Sequence, residues 1–375
     1  MRHWKRSAGL LATAGLLIGA CAGAPAPSAT PSETVSLQLQ WEPQAQFAGY
    51  FAADREGYYA AEGLQVTMLR AGADVFPHVV GSEPNGPEFT ISWVPKVLEV
   101  RANNQSDLVN IAQVFQRSGT RSVSWAAGKG PDPTSDENIT SPEQFAGKRV
   151  GVWDFGNDHE VIAAGKTVGL TANEDYTRVI QDFNMNLLLN REIDVSEAMI
   201  YNEYAQVLET EDPKTGELYQ PGDLNVIDYN QVGTAMLQDA IFVRAAWLSQ
   251  PGNEDVAVRF LRASFRGWMF CRENQDMCIQ YTVDAGSILP AGHQRWMMNE
   301  INPLIWPSAA GIGQMPVDTW NQTVQIATDA DIIPGPPAEG AYRTDLAEQA
   351  RQGIQGDVNG NDFQKGTVEV TPGGE

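Results

Sequence analysis

The sequence contains 375 residues, which is longer than one domain usually is and therefore predicts two. Hydrophobic residues make up 42% of the chain and charged residues only 19%, a balance that supports a sizeable core and argues against a disordered chain. The 47 acidic residues against 25 basic ones give a formal net charge of −22, which disfavours nucleic acid or an anionic membrane face as a partner, because both attract basic surfaces.

The N-terminus has the pattern of a secretory signal. A basic start precedes an apolar stretch at residues 9–20 that is too short to span a bilayer, and two small residues stand directly before Cys21. This is the pattern of a lipobox, so we expect residues 1–20 to be a signal peptide and Cys21 to be the lipidated N-terminus of the mature protein. The Pro/Ala/Ser-rich residues 21–34 would then be a tether, and the lipid anchor the only membrane attachment. A plain secretory signal with an incidental cysteine is the alternative.

Two further cysteines, Cys271 and Cys278, have six residues between them. Cysteines tend to pair outside the cytoplasm, so we expect a local disulfide that joins the end of one helix to the start of the next. Two reduced, buried thiols are the alternative, because a short loop must also satisfy the distance limits of a disulfide. We expect no metal site, because His78, His159 and His293 have no second ligand at metal-binding spacing.

The chain after the tether alternates between strand and helix patterns. Residues 35–41 alternate apolar and polar side chains, residues 47–55 have a helical pattern, and residues 64–69 alternate again. This β-α-β order predicts a parallel pair of strands with a right-handed crossover. Further elements are predicted at residues 89–93 (strand), 95–101 (helix) and 108–114 (strand).

A polar loop at residues 128–138 separates a second α/β unit from the first, and Ser141 is predicted to cap a helix there. In that unit we predict strands at residues 148–153, 176–182 and 226–229, a turn at 154–158, and helices at 160–168 and 185–189. After it we predict helices at residues 256–270, 277–284, 292–300, 317–327 and 344–352. This order predicts an α/β fold with two lobes: residues 35–122 and 233–375 in lobe 1, and residues 123–232 in lobe 2.

Three tryptophans stand at the carboxyl ends of predicted strands: Trp41, Trp93 and Trp153. Ligands of open α/β sheets bind beyond such ends, and aromatic faces give large apolar contact at low entropic cost. Each of the three could instead pack in the core or at a hinge. The triplet Tyr201-Asn202-Glu203 offers a hydroxyl, an amide and a carboxylate that could bind a heterocycle, or could be a solvated helix start.

Three segments resemble a known family: QWEPQAQFAGYFAADREGYYAAEGLQV at residues 40–66, FAGKRVGVWDFGN at 145–157 and VSEAMIYNEYAQVL at 195–208. They resemble the extracytoplasmic solute-binding proteins of ABC importers that bind thiamine pyrimidine precursors or alkanesulfonates. The resemblance implies a two-lobed periplasmic-binding-protein type II fold whose hinge closes on the solute. It also implies delivery of that solute to a membrane permease with a cytoplasmic ATPase.

The chain departs from this family at two positions that bear on the ligand. Pyrimidine-precursor binders usually have an Asn where Gln44 stands and a His at about the position of Phe47, so a polar contact is predicted to have become an aromatic surface. The chain looks most like the riboflavin-binding branch, and riboflavin is the ligand we expect. The predicted ligand-binding residues are Trp41, Phe47, Tyr50, Trp93, Trp153, Tyr201, Asn202 and Glu203.

Three alternatives remain open from the sequence. The first is a binder of formylaminopyrimidine or hydroxymethylpyrimidine. The second is an enzyme like the yeast relatives that synthesise the thiamine pyrimidine, but the cysteine cluster and the histidine of those relatives are not present here, so we expect no enzyme activity and no cofactor. The third is a lipid-tethered scaffold without a small ligand.

Overall fold

Two five-stranded sheets organise the part of the chain that the structure, a computed structural model, describes: residues 32–131 and 138–375. The strands are β1 (Glu33–Gln38), β2 (Leu64–Leu69), β3 (Phe89–Ser92), β4 (Leu108–Gln113), β5 (Thr120–Trp125), β6 (Arg149–Val152), β7 (Thr177–Ile180), β8 (Val195–Met199), β9 (Leu224–Asp228) and β10 (Ala240–Arg244). The first sheet has the order β2-β1-β3-β10-β4, and the second has the order β7-β6-β8-β5-β9. The predicted two-lobed α/β fold is confirmed.

The helices pack around these sheets. They are α1 (Ala48–Arg55), α2 (Tyr58–Ala61), α3 (Pro77–Val80), α4 (Val94–Ala102), α5 (His159–Thr167), α6 (Asn186–Leu189), α7 (Glu203–Leu208), α8 (Tyr229–Val232), α9 (Ala245–Leu248), α10 (Asn253–Glu273), α11 (Gln275–Asp284), α12 (Ala291–Ile305), α13 (Val317–Asp329) and α14 (Asp345–Arg351). Single 3-10 turns lie at Ala45–Phe47, Pro142–Phe145, Pro221–Asp223 and Pro372–Gly374. As expected, Ser141 caps the second of these turns, in a capping box with Gln144. Within the two described ranges, none of the helices is long and apolar enough to cross a membrane.

The predicted β-α-β unit is present, because β1 and β2 pair in parallel over their whole length. Three strands were not predicted: β5, β8 and β10. Strands β5 and β10 are each antiparallel to both of their neighbours, β10 between β3 and β4 and β5 between β8 and β9. Both strands are almost completely buried. An alternation of apolar and polar residues therefore does not identify them in the sequence, and only their pairing in the sheet does.

Some of the expected boundaries need correction. The expected boundary between the lobes, between residues 122 and 123, falls inside β5. Strand β5 pairs with strands of the second sheet from Thr120 onward, so the second lobe includes Thr120. Strand β1 begins at Glu33, two residues inside the expected tether. Val370, expected in lobe 1, packs against a hydrophobic cluster of the second lobe. The signal peptide, Cys21, the tether up to residue 31 and residues 132–137 of the polar loop lie outside the described residues.

The long helix α10 holds the first lobe together by close contact with α1. A Cβ atom added at Gly267 would lie 1.9 Å from the carbonyl oxygen of Gly49, so only glycine permits this approach of the two backbones. One turn further along α10, Cys271 is joined by a disulfide to Cys278 on α11, with a Cα–Cα distance of 5.5 Å.

The two crossings between the lobes are residues 114–119 and 233–239, and buried side chains tie them to each other. Glu160 on α5 accepts hydrogen bonds from Ser118 Oγ at 2.7 Å in the first crossing and from the Met236 backbone N–H at 2.8 Å in the second. Gln238 Oε1 accepts from the Gly119 backbone N–H at 2.8 Å. Burial raises the pKa of Glu160 to about 8. A titratable carboxyl group therefore lies at the hinge.

Candidate ligand-binding site

A cavity of about 220 Å³ lies between the two lobes. Six of the eight predicted ligand-binding residues line it: Trp41, Trp93, Trp153, Tyr201, Asn202 and Glu203. Trp41 and Trp93 come from loops that follow β1 and β3, and Trp153 follows β6. The cavity therefore lies where the carboxyl ends of parallel strands from both sheets face each other, as strand-end reasoning predicts.

The other two predicted residues, Phe47 and Tyr50, do not line the cavity. Phe47 is fully buried in the core of the first lobe, and Tyr50 packs edge-on against Trp268 with ring centroids 5.7 Å apart. Both follow β1 closely in sequence, but the turn at Ala45–Phe47 directs the chain into α1, whose inner face packs against α10. The aromatic surface expected from Phe47 is therefore not part of the site.

Phenylalanines that were not predicted provide aromatic surface in its place. The Phe183 ring centroid lies 4.0 Å from that of Trp41 and 6.0 Å from that of Trp153, nearly parallel to the latter with an interplanar angle of 16°. Trp41 belongs to the first lobe and Phe183 to the second, so the contact bridges the cleft. A second bridge joins Phe76 and Phe155, with centroids 4.5 Å apart. Phe183 follows the end of β7, and applying the strand-end rule to that strand would have found it.

Two of the tryptophans are fixed by hydrogen bonds from their indole N–H groups. Trp93 Nε1 donates to Asp239 Oδ2 at 3.3 Å, and Gln46 Nε2 donates to the other oxygen of Asp239 at 2.8 Å. Burial raises the pKa of Asp239 to about 7. Trp153 Nε1 donates to the carbonyl oxygen of Asp182 at 3.3 Å. These partners orient the two indole rings before any ligand binds.

The polar end of the cavity is a chain of hydrogen bonds. Glu203 accepts from the Met199 backbone N–H at 3.0 Å and from Asn202 Nδ2 at 3.1 Å. Asn202 Oδ1 in turn accepts from Gln206 Nε2 at 3.2 Å and lies 2.9 Å from His293 Nε2. Burial raises the pKa of Glu203 to about 7, so near neutral pH its carboxyl group can either accept a hydrogen bond from a ligand or donate one to it.

Two basic side chains that the sequence reasoning missed also line the cavity. His78 is buried on α3, and burial together with the charge of Lys96 lowers its pKa to about 4, so the imidazole is neutral at physiological pH. Lys96 is only 5% exposed and lies on the first turn of α4, three residues after Trp93. Burial lowers the pKa of Lys96 to about 8, which leaves the ammonium form predominant at neutral pH.

Comparison with known proteins places the chain in a family. The profile of the family described as NMT1/THI5 like matches residues 44–277. The riboflavin-binding protein RibY of Chloroflexus aurantiacus is 24% identical over 327 residues, which cover 84% of this chain and 86% of that protein. The formylaminopyrimidine-binding protein of Halalkalibacterium halodurans is 24% identical over 248 residues, covering 65% of this chain and 68% of that protein.

Solved structures of low sequence identity share the fold. The periplasmic aliphatic sulphonate binding protein of Escherichia coli superimposes with a TM-score of 0.57 at 12% identity, over 86% of this chain and 92% of that one. The alkanesulfonate-binding protein of Xanthomonas axonopodis pv. citri gives a TM-score of 0.58 at 12% identity, over 84% and 99% of the respective chains. The resemblance found in the sequence is confirmed: the chain belongs to the NMT1/THI5-like family and has the fold of periplasmic solute-binding proteins.

Proposed function

We propose that this protein binds riboflavin in the cleft between its lobes and delivers it to the membrane subunits of an ABC importer. The observation that carries the proposal is the group of aromatic rings contributed by both lobes, in which Phe183 contacts both Trp41 and Trp153. A flat ring system that enters the cleft can stack on these faces and thereby hold the two lobes together. Binding to both lobes at once favours the closed form, as delivery to a transporter requires.

The relatives support this choice of ligand class. One relative that matches most of this chain is named as a riboflavin-binding protein, and two of the structures that share the fold are named as sulfonate-binding proteins. We propose that this chain works outside the cytoplasm in the same way, as a carrier that releases its ligand unchanged. The partners would be an ABC permease and its ATPase, and neither nucleic acid nor a metal is part of the proposal.

Attachment to the cell membrane is proposed through a lipid on Cys21. The support is the order of charged, apolar and small residues before this cysteine and the Pro/Ala-rich segment after it. We expect the wild-type chain to sediment with membranes and the Cys21→Ala chain to appear in the soluble extracytoplasmic fraction. Firm retention of Cys21→Ala in the membrane fraction would contradict lipidation at this residue.

Formylaminopyrimidine is the second candidate ligand, and one feature of the cleft favours it. Asn202 and Glu203 form a compact polar end that can accept hydrogen bonds from an exocyclic amino group. Like riboflavin, this ligand is a neutral, planar heterocycle, but it has one ring rather than three. The relative named for it matches a shorter part of this chain than the riboflavin-binding relative does.

The deciding experiment is a titration of the Cys21→Ala chain, purified without its lipid, in which tryptophan emission reports ligand binding. We expect riboflavin to quench the emission of the cleft tryptophans and to co-purify as a yellow chromophore, with formylaminopyrimidine binding more weakly. Quenching by the pyrimidine but not by riboflavin would reverse the order of the two candidates. If neither flavins nor pyrimidines change the emission, a tethered scaffold without a small ligand is the better account.

A further inference from the structure

Lys96 is the buried cation of the cleft. It lies on the first turn of α4, directly after Pro95 and three residues after Trp93, and it is only 5% exposed. It is also part of the cavity lining, so the ammonium group is removed from bulk water but can be reached from the ligand site. A buried charge is unfavourable unless it has partners, which makes its surroundings informative.

The contacts of the Lys96 ammonium group are with neutral groups. Nζ donates to Asn157 Oδ1 at 2.5 Å, across the cleft, and lies 3.2 Å from the Gln40 amide oxygen in the orientation that also lets the Gln40 nitrogen donate to the Ile91 carbonyl. Nζ also lies 4.7 Å from the centre of the Trp93 ring. An ammonium group has three N–H donors, so these contacts leave one donor for another acceptor.

Nearby carboxylates act on the charge of Lys96 without taking that donor. Among the residues that the structure describes, none forms an ion pair with Nζ. Four acidic residues interact with it electrostatically, and each has another partner: Glu197 with the Trp153 N–H, Asp239 with Gln46 and Trp93, Asp158 with Arg178, and Glu99 with His159. They favour the ammonium form, whose remaining donor is free for a ligand.

We propose that Lys96 is a specificity-determining residue, whose ammonium group donates a hydrogen bond to a ring carbonyl oxygen of the bound heterocycle. The inference rests on the proposed function and specifies which edge of the ligand the first lobe recognises. The flavin ring system has two carbonyl groups on its pyrimidine ring, whereas formylaminopyrimidine has a donating amino group on its ring. A buried cation favours the carbonyl edge and disfavours a donor edge, because two donors that face each other leave both unpaired.

The test uses three probes and two variants of the purified Cys21→Ala chain. Riboflavin has the carbonyl edge and a ribityl chain, lumichrome has a carbonyl edge without the ribityl chain, and phenazine is a tricycle with neither. Lys96→Met keeps most of the side-chain length and removes both the charge and the donors. Lys129→Met is the matched control, because Lys129 lies outside the cavity lining and pairs with Asp223 at 3.3 Å.

We expect Lys96→Met to weaken riboflavin and lumichrome binding by about 10- to 100-fold, since hydrogen bonds from charged groups contribute on this scale, and to leave phenazine binding unchanged. Lys129→Met should bind all three like the parent chain. Unchanged phenazine binding by Lys96→Met, together with a single cooperative melting transition, separates a loss of binding from a loss of folding.

Two results would overturn the inference while the riboflavin proposal stands. One is equal binding of riboflavin by Lys96→Met and the parent chain. The other is weaker binding of riboflavin with unchanged binding of lumichrome, which would place Lys96 against the ribityl chain. If the parent chain binds neither flavin, the proposed function fails, and the inference fails with it.

Discussion

His293 and Asn202 connect the two sides of the cleft: His293 Nε2 lies 2.9 Å from Asn202 Oδ1. The orientation of the Asn202 amide is set by Gln206, which donates to Oδ1, and by Glu203, which accepts from Nδ2, so His293 must be the donor. The other ring nitrogen, Nδ1, lies 2.8 Å from Glu209 Oε2. A residue of α12 thus holds an amide that lines the ligand site on the other lobe.

Removing this imidazole should loosen the closed form. In His293→Ala, Asn202 Oδ1 loses one buried donor and the Glu209 carboxyl group loses its buried hydrogen-bond partner, and an unpaired buried polar group costs roughly 1–3 kcal/mol. We therefore expect riboflavin affinity to fall by at least fivefold in calorimetric titration. The matched control is Gln206→Ala, which removes the donor to the same oxygen from within one lobe and should have a smaller effect. The opposite ranking of the two variants would contradict a role in closure.

Phe183→Ala should weaken ligand binding without unfolding the protein. The side chain is 38% exposed, and its ring contacts two tryptophans of the cavity lining, Trp41 and Trp153. Stacking against an aromatic ring contributes roughly 0.5–1.5 kcal/mol beyond the buried area, so the dissociation constant for riboflavin should rise about two- to tenfold. Ile288→Ala, at a residue 76% exposed and outside the cavity lining, is the control. Superimposable titrations of wild type and Phe183→Ala would exclude this ring from the site.

Phe47→Ala should show the reverse behaviour. Because Phe47 is fully buried in the first lobe, its truncation leaves a cavity that costs about 3–5 kcal/mol of unfolding free energy. Urea denaturation is expected to show this loss, whereas the folded fraction should bind riboflavin with nearly wild-type affinity. Normal stability together with lost riboflavin binding would instead indicate that Phe47 contacts the ligand.

Glu160 should make stability depend on pH. Burial raises its pKa from 4.5 to about 8, while Arg121 lowers it and Asp228 raises it to a smaller extent. The folded chain therefore holds a proton that the unfolded chain releases, so the contribution of this group is fully present below about pH 4.5 and is lost as the pH rises to about 8. In Glu160→Gln, which cannot ionise, unfolding free energy should fall less between about pH 5 and pH 8. Parallel pH profiles for the two proteins would count against a raised pKa at this carboxyl group.

The disulfide between Cys271 and Cys278 should stabilise the junction of α10 and α11. It closes a short loop. A cross-link of this loop length lowers the conformational entropy of the unfolded chain and thereby stabilises the folded protein by about 2 kcal/mol. Peptide mapping without reductant should recover the two cysteines as one linked pair, and the double change to alanine should lower the urea midpoint. Recovery of both as free thiols would show that the bond does not form in the protein.

The sequence by itself determined the features that depend on local pattern. Alternation located β1 and β2, and the order of elements predicted two α/β lobes, because the side-chain period of an element is contained within that element. The tryptophans at strand ends could be assigned to the cleft for the same reason: the end of a strand is local information, and the end of a parallel strand opens on the ligand side.

Tertiary structure alone decided which side chains face the ligand and which strands join distant parts of the chain. Strand β10 lies between β3 and β4, and it pairs there with residues more than a hundred positions away in sequence. The residue pattern within β10 does not indicate such distant partners. Phe47 and Phe183 are both aromatic and both near a strand end, yet helix packing buries the first and the meeting of two lobes brings the second to Trp41. A lysine at the start of a predicted helix is ordinarily a surface residue. The tertiary structure instead buries Lys96 and places its ammonium group against Asn157 of the second lobe.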